Sequence, residues 1–280
     1  MPDRYDSTFF ALSIDGGVAH LEMNRGDKAN AMSPEFWIDL PRLAGELGKD
    51  PSVRVVVLSG RGKHFSGGID LAAFQNILGL TAAEPGRGAE ALYELIRRFQ
   101  AALTSLEELR VPVVAAIHGV CLGGGVDLAC ACDIRLASSE ARFGIEEIEI
   151  GMAADVGTLQ RLPHLTPPGI VRELAYTGRR FSAEEARGWG FVNSVHDSPE
   201  ATLAAALTLA REIAAKSPLA IAGIKRAITY ARDHSVADSL EQIALWNAGA
   251  LRPEDLMKAI QARMAKQKAE FADLLPPASL

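Results

Sequence analysis

The chain has 280 residues, of which 48% are hydrophobic and 23% are charged, and its formal net charge is −6. This composition suits one large domain, or a domain with an appendage, and it lacks the basic runs that nucleic-acid binding requires. The N-terminus is too polar for a signal peptide, and no apolar run is long enough to cross a membrane, so we expect a cytoplasmic protein.

The chain begins with the pattern of a β-hairpin followed by a helix. Residues 9–15 and 18–23 predict two short strands, joined at Asp15-Gly16-Gly17 by a tight turn. Ser33-Pro34-Glu35 predicts the start of a helix, with the serine as N-cap, the proline in the first turn and an acid near the positive end of the helix dipole. This helix should extend to about Gly48.

Two similar units of strand, glycine-rich loop and helix follow. The β-branched run at 53–59 predicts a strand that is buried on both faces and ends in the loop 60–70. A second buried strand at 113–117 ends in the loop 119–125, which opens a helix. Both loops should lie at the C-terminal end of a strand, where α/β proteins commonly bind ligands.

The other predicted elements complete a mixed α/β body and a helical C-terminal part. They are a mobile surface segment at 79–90, a helix at about 90–109, and short strands at 134–137 and 141–143. From Pro199 onward the pattern is almost entirely helical. The sequence therefore predicts an α/β body of residues 1–198 and a helical region of residues 199–280, which packs on the body or on another subunit.

Three carboxylates occur in a stretch that is otherwise apolar and rich in glycine, namely Asp127, Glu147 and Asp155. Burial raises the pKa of a carboxyl group toward the range that suits proton transfer, and glycine amides can stabilise an oxyanion. The pattern predicts acid–base chemistry on a carbonyl compound. Each acid also has a plain structural interpretation: Asp127 and Asp155 as helix caps, and Glu147 as a solvated strand residue.

The three cysteines, Cys121, Cys130 and Cys132, lie in one region without a second cluster that could complete a metal site. We therefore expect small buried side chains, no bound metal and a reducing compartment.

Five motifs are spread along the chain. They are Asn30-Ala31-Met32, Phe65-Ser66-Gly67-Gly68-Ile69-Asp70-Leu71, His118-Gly119-Val120-Cys121-Leu122-Gly123-Gly124-Gly125-Val126-Asp127-Leu128, Cys132-Asp133-Ile134-Arg135 and Thr158-Leu159-Gln160-Arg161-Leu162. In this order and spacing they resemble the crotonase (enoyl-CoA hydratase/isomerase) superfamily. The resemblance implies a spiral of ββα units, a helical C-terminal oligomerisation region, and a homotrimer or a dimer of trimers.

The resemblance also implies an acyl-CoA thioester substrate, with no separate cofactor because coenzyme A enters as part of the substrate. The thioester oxygen would accept hydrogen bonds from the backbone amides of Ile69 and Gly124. The residues implied to contact coenzyme A are Arg25, Lys28, Ala29, Ala31, Gly67, Gly68, Asp70, Leu71 and Gly123.

Within this superfamily, the set Asp127, Glu147 and Asp155 resembles the delta(3,5)-delta(2,4)-dienoyl-CoA isomerase subgroup, since enoyl-CoA hydratases carry glutamate at the first position and glycine at the third. The resemblance implies a role in fatty-acid β-oxidation, with Glu147 near C2 of the acyl group, Asp155 nearer C6, and Asp127 polarising or orienting its neighbours. Which of Glu147 and Asp155 is the initial base, and whether Asp127 transfers a proton directly, stay open at this point. Two alternatives stay open: an enoyl-CoA hydratase or another lyase or isomerase of the family, and a paralogue that binds acyl-CoA without catalysis.

Overall fold

The computed structural model describes residues 4–70, 72 and 85–278. Strands within these residues are β1 (Phe10–Asp15), β2 (Val18–Met23), β3 (Val55–Gly60), β4 (Val113–Ile117), β5 (Val120–Leu122), β6 (Ile134–Ser138), β7 (Arg142–Gly144), β8 (Phe181–Ser182) and β9 (Ser194–His196). Leu71 and residues 79–84, for which a coenzyme A contact and a surface segment were predicted, lie outside the described residues.

The α-helices of the described chain are α1 (Pro34–Lys49), α2 (Pro85–Glu107), α3 (Gly124–Ala131), α4 (Thr158–Arg161), α5 (Pro168–Thr177), α6 (Ala183–Gly188), α7 (Pro199–Ala214), α8 (Pro218–Ala231), α9 (Val236–Ala250) and α10 (Pro253–Met264). Short 3₁₀ turns occur at Gly26–Lys28, Glu147–Ile150 and Leu162–His164. In this part of the chain no helix has the length and apolar character that a membrane crossing needs.

The strands form a large sheet in the order β1-β2-β3-β4-β6-β9 and a small sheet in the order β5-β7-β8. The predicted hairpin β1–β2 is antiparallel, whereas the other neighbours in the large sheet are parallel. Because β3 and β4 are parallel neighbours, the glycine loops that follow them emerge side by side at one edge of the sheet.

Both faces of the large sheet are covered, as the β-branched run in β3 predicted. Val56 and Leu58 point into a core that also contains residues of α1, α2 and α3. Val55 and Val57 point the other way, into a cluster with Ala206 and other small residues of α7. The predicted α/β architecture is confirmed, while the division at residue 199 stays a prediction.

Helix α1 begins at Pro34 with Ser33 as its N-cap, as predicted, although the Ser33 hydroxyl donates to the Glu35 carboxylate at 2.5 Å and accepts no backbone amide. One local prediction is wrong. Residues 85–90 are helical, although their glycines predicted a mobile segment. Proline is favoured in the first turn of a helix, where its missing N–H needs no partner, and Gly88 is buried in the packed structure.

Lys225 on α8 ties the C-terminal helices to the α/β body. Its ammonium group is buried and donates to Leu106 O and Val111 O, each at 3.1 Å, and to Asp133 Oδ2 at 2.8 Å. Breaking a buried ion pair leaves its partners without compensation. The Lys225→Met variant should therefore lose about 2–4 kcal/mol of unfolding free energy.

Urea denaturation of this variant, followed by circular dichroism, measures that loss. The matched control is Lys258→Met, because Lys258 is exposed on α10. Equal stability of the two variants would show that the buried lysine does not anchor α8.

Candidate active site

The two glycine loops meet through backbone pairing. Ser66 forms a parallel bridge with Cys121: its N–H donates to Val120 O at 3.1 Å, and its carbonyl accepts from Leu122 N at 3.0 Å. A second bridge joins Met32 to Ile69. The chain segments before α1, after β3 and after β4 are thereby held together at the carboxyl edge of the large sheet.

This pairing orients the amides of Ile69 and Gly124. Met32 N donates to Gly68 O at 2.8 Å and Asp70 N donates to Met32 O at 3.1 Å, so the N–H of Ile69 points away from Met32. Gly124 is the first residue of α3, where a backbone N–H has no acceptor within the helix and the helix dipole is positive. A Cβ placed on Gly124 would lie 3.6 Å from Ile69 N, so the two amides are neighbours.

Two glycines are required for this close approach. Gly68 has φ +91°, and a Cβ there would lie 2.8 Å from Leu122 O. Gly123 has φ +49°, and a Cβ there would lie 3.2 Å from Glu147 Oε1. Larger residues at either position would be strained and would push apart the backbone segments that carry the amides.

Glu147 lies directly over the second glycine loop. It begins the 3₁₀ turn Glu147–Ile150, and its Oε2 is buried without a hydrogen-bond partner among the described residues. Burial, reinforced by the charge of Asp127, raises the pKa of Glu147 to about 7. Glu147 and the residues of both predicted amide donors line one cavity of about 210 Å³, together with Met152.

Asp127 is the most deeply buried of the three acids, with 1% of its surface exposed. Its Oδ1 accepts the backbone N–H of Thr158 at 2.5 Å, while Oδ2 has no partner in the part of the chain that the structure describes. Burial raises the pKa of Asp127 to about 6, and the charge of Asp155 acts in the same direction, whereas Thr158 and Arg161 oppose the shift.

Asp155 is half-buried just before α4, and burial raises its pKa. Its backbone carbonyl accepts a hydrogen bond from Gln100 Nε2 at 2.7 Å. Electrostatic coupling joins the three acids, because Asp127 and Asp155 each raise the pKa of Glu147. Protonation of one of these acids therefore changes the proton affinity of the others.

The purely structural roles considered for the three acids, two helix caps and a solvated strand residue, are not the roles that these residues have in the structure. Helix α3 begins at Gly124 with Gly123 as its N-cap, so Asp127 does not cap its own helix but binds the first amide of α4. The N-cap of α4 is Gly157, without a side-chain cap, and Glu147 is not in a strand. The three carboxylates thus have no shared role in helix capping, and Glu147 lines the cavity of the amide pair.

Replacing Asp127 with asparagine should stabilise the protein at high pH. Because the pKa of Asp127 is raised in the folded state, the protonated side chain stabilises the fold fully below pH 3.8, the pKa in the unfolded state. This stabilisation is lost as the pH rises through about 6, the pKa in the folded state. The unfolding free energy gained by Asp127→Asn should therefore grow from small values near pH 4 to an order of 3 kcal/mol near pH 8.

Thermal denaturation at several pH values measures this gain, with Asp197→Asn at an exposed position as the control. A gain that is independent of pH would contradict the assignment of a buried, costly charge to Asp127.

The described residues that were predicted to contact coenzyme A, which exclude Leu71, form one neighbourhood beside Ile69. Arg25 donates to Ala31 O at 3.0 Å and to Asp70 Oδ2 at 2.7 Å, and Gly67 N donates to Ala29 O at 2.7 Å. Lys28 is exposed nearby, and Gly68 and Gly123 lie at the cavity. The Arg25 guanidinium is thus engaged within the chain, and its contact with coenzyme A stays a prediction.

Sequence reasoning missed the residues that support these loops and acids. Asn30, which is fully buried, donates to Arg61 O and His64 O and accepts from Arg25 N, and its positive φ of 51° is one that asparagine tolerates. This tolerance of asparagine for a positive φ is the signal in the sequence by which Asn30 could have been identified. Gln100 and the amide of Thr158 gave none, because their partners are 55 and 31 positions away.

Comparison with known proteins agrees with this geometry. The family model "Enoyl-CoA hydratase/isomerase" matches residues 13–273. The chain is 44% identical to "Delta(3,5)-Delta(2,4)-dienoyl-CoA isomerase, peroxisomal" of Arabidopsis thaliana, covering 94% of this chain and 95% of that protein. It is 43% identical to the "mitochondrial" protein of the same name from Homo sapiens, over 93% and 80% of the two chains.

The fold is shared as well. The crystal structure of a putative enoyl-CoA hydratase from Streptomyces coelicolor A3(2) superposes with a TM-score of 0.87 at 30% identity, covering 97% of this chain and 95% of the other. These findings confirm the resemblance inferred from the five motifs, and the chain belongs to the enoyl-CoA hydratase/isomerase family.

Proposed function

We propose that the protein is a dienoyl-CoA isomerase, which converts a 3,5-dienoyl-CoA to the conjugated 2,4-dienoyl-CoA during oxidation of unsaturated fatty acids. The observation that carries the proposal is a second half-buried acid, Asp155, whose charge acts on Asp127 and on Glu147, the acid that shares a cavity with the amide pair. Relatives named for this reaction support it.

The reaction moves one proton out of the acyl chain and one proton in. Glu147 takes the proton from C2, and the electron pair delocalises into the thioester carbonyl and the two double bonds. The amides of Ile69 and Gly124 stabilise the negative oxygen of this dienolate as it forms. Asp155 then delivers a proton to C6, which leaves the double bonds at positions 2 and 4.

The pKa values of the acids suit these roles. A base with a pKa of about 7 is about half ionised at pH 7 and still binds a proton well, which is the balance that general base catalysis requires. Burial raises the pKa of Asp155, which makes its protonated form less costly than in water. Asp127 contributes through its charge, which raises the pKa of Glu147.

The deciding experiment is a spectrophotometric assay of the purified protein with a 3,5-dienoyl-CoA, which records the absorbance of the 2,4-dienoyl thioester. Hydration of a 2-enoyl-CoA is measured in parallel. Rapid conjugation with little hydration supports the isomerase. Hydration alone would identify a hydratase, and binding of acyl-CoA without turnover of either substrate would identify a non-catalytic paralogue.

We also propose that the C-terminal helices bury their apolar side chains between subunits of a homotrimer or a dimer of trimers. No residue of α9 or α10 is buried in the described chain. The large exposed hydrophobic residues of this region include Ile224, Ile228, Val236, Leu240, Leu245, Leu256, Met257 and Ile260. Light scattering of the purified protein gives the subunit number, and a monomer would contradict this assembly.

The cytoplasmic location expected from the sequence stays a prediction, since the names of two relatives assign those proteins to the peroxisome and the mitochondrion. Fractionation of the source cells measures the compartment directly.

A further inference from the structure

Gln100 on α2 connects an exposed cation to the backbone of a proposed proton donor. Arg97 Nη1 donates to Gln100 Oε1 at 3.1 Å, and Gln100 Nε2 donates to the carbonyl oxygen of Asp155 at 2.7 Å. Since the amide oxygen is engaged by Arg97, the amide nitrogen is turned toward Asp155. The contact fixes the peptide group that immediately follows the Asp155 side chain.

Further contacts from the same face of α2 hold the helix that comes next. Arg161 at the end of α4 donates to Thr104 Oγ1 at 2.8 Å and to Glu107 Oε2 at 3.1 Å. Positions 100, 104 and 107 are spaced i, i+4 and i+7, so they lie on one side of the helix. Helix α2 therefore fixes the segment 155–161 at both ends.

These contacts have different consequences for the acids. The contacts of Arg161 hold α4, whose first amide binds Asp127. The contact of Gln100 is made with Asp155 itself. Displacement of a catalytic group by about 1 Å can reduce a rate by about 10²-fold, so a residue that fixes its backbone influences the reaction without touching substrate.

We infer that Gln100 is a positioning residue for Asp155, and that it sets the rate of proton delivery to C6. This inference rests on the proposed isomerase function. It assigns to Gln100 a role in one half of the reaction only, because its donor contact is with Asp155, whereas Ile69 is held by its bridge to Met32 and Gly124 begins α3.

The test uses Gln100→Met, which keeps the length of the side chain but removes the donor. We expect kcat for isomerisation to fall roughly 10- to 100-fold while KM stays within about twofold. Exchange of the C2 proton of the substrate with D₂O, followed by mass spectrometry, should stay close to the wild-type rate, since it requires Glu147 and the amide pair alone.

The matched control is Gln160→Met. Gln160 is exposed and lines the same cavity of about 560 Å³ as Gln100, but it lies on α4 and is not the donor to Asp155. This variant should retain wild-type isomerisation and exchange. A double-mutant cycle completes the test: in the Asp155→Asn background, Gln100→Met should have no further effect on isomerisation.

If Gln100→Met isomerises the substrate at the wild-type rate, or if it loses C2 exchange to the same extent as isomerisation, the inference is overturned and the proposed function stays intact. A wild-type protein without isomerase activity would overturn the proposed function and this inference with it. If Gln100→Met does not fold, Gln100→Glu replaces it, because glutamate retains an acceptor for Arg97 and lacks the donor to Asp155.

Discussion

Replacing Glu147 with glutamine is expected to lower kcat for isomerisation by roughly 10²- to 10⁴-fold, the usual contribution of a general base. Glutamine keeps the size of the side chain over Gly123 but cannot accept the C2 proton. Because proton removal is the first step, exchange of the C2 proton with D₂O should be lost together with product formation. Steady-state kinetics and mass spectrometry of recovered substrate measure the two effects.

The pH profile gives a second measure of the same residue. A base must be deprotonated to act, so kcat/KM of the wild-type protein should fall as pH decreases through the Glu147 pKa of about 7. This acid limb should be absent from the residual activity of Glu147→Gln.

Glu149→Gln is the control, since Glu149 is exposed and lines the same cavity. It should behave as wild type. C2 exchange that survives in Glu147→Gln would remove Glu147 from the role of base and direct attention to Asp127.

Asp155→Asn is expected to lower isomerisation by roughly 10²- to 10⁴-fold and to leave C2 exchange intact. Asparagine holds no acidic proton for C6, whereas Glu147 and the amide pair still form the dienolate, which then regains a proton at C2. The contrast with Glu147→Gln separates the two proton transfers with one pair of assays.

Any hydration of a 2-enoyl-CoA by the wild-type protein should persist in Asp155→Asn, because a hydratase of this family needs no acid at this position. A loss of C2 exchange equal to the loss of isomerisation would show that Asp155 takes part in the first proton transfer. Retention of full isomerase activity would exclude it from the mechanism.

The parts of this site that the sequence predicted are those that local patterns specify. The β-branched run of β3 and the glycine loops identify strands and the loops that follow them, and the three acids are conspicuous in an apolar stretch. Motif order then predicted the amides of Ile69 and Gly124 as the donors to the thioester oxygen. These features depend on residues that are close in sequence, or on a resemblance to a family.

The supporting contacts were not predictable in this way, because they depend on packing between distant segments. Asp127 binds a backbone amide of Thr158, and any residue at that position other than proline would offer the same donor. Gln100 resembles any other polar residue of an amphipathic helix until α2 is placed beside α4. The helical start of α2 was missed for a local reason, since Gly86 and Gly88 suggested a loop.

The pairing of Met32 with Ile69 and of Ser66 with Cys121 has an evolutionary consequence. The groups that are proposed to hold the negative oxygen are main-chain amides, fixed by main-chain pairing, so most substitutions leave those donors in place. The acids are single side chains on separate segments. Descendants of such a chain can therefore exchange one acid at a time and so change the reaction, while the main-chain amides proposed to stabilise an enolate are inherited unchanged.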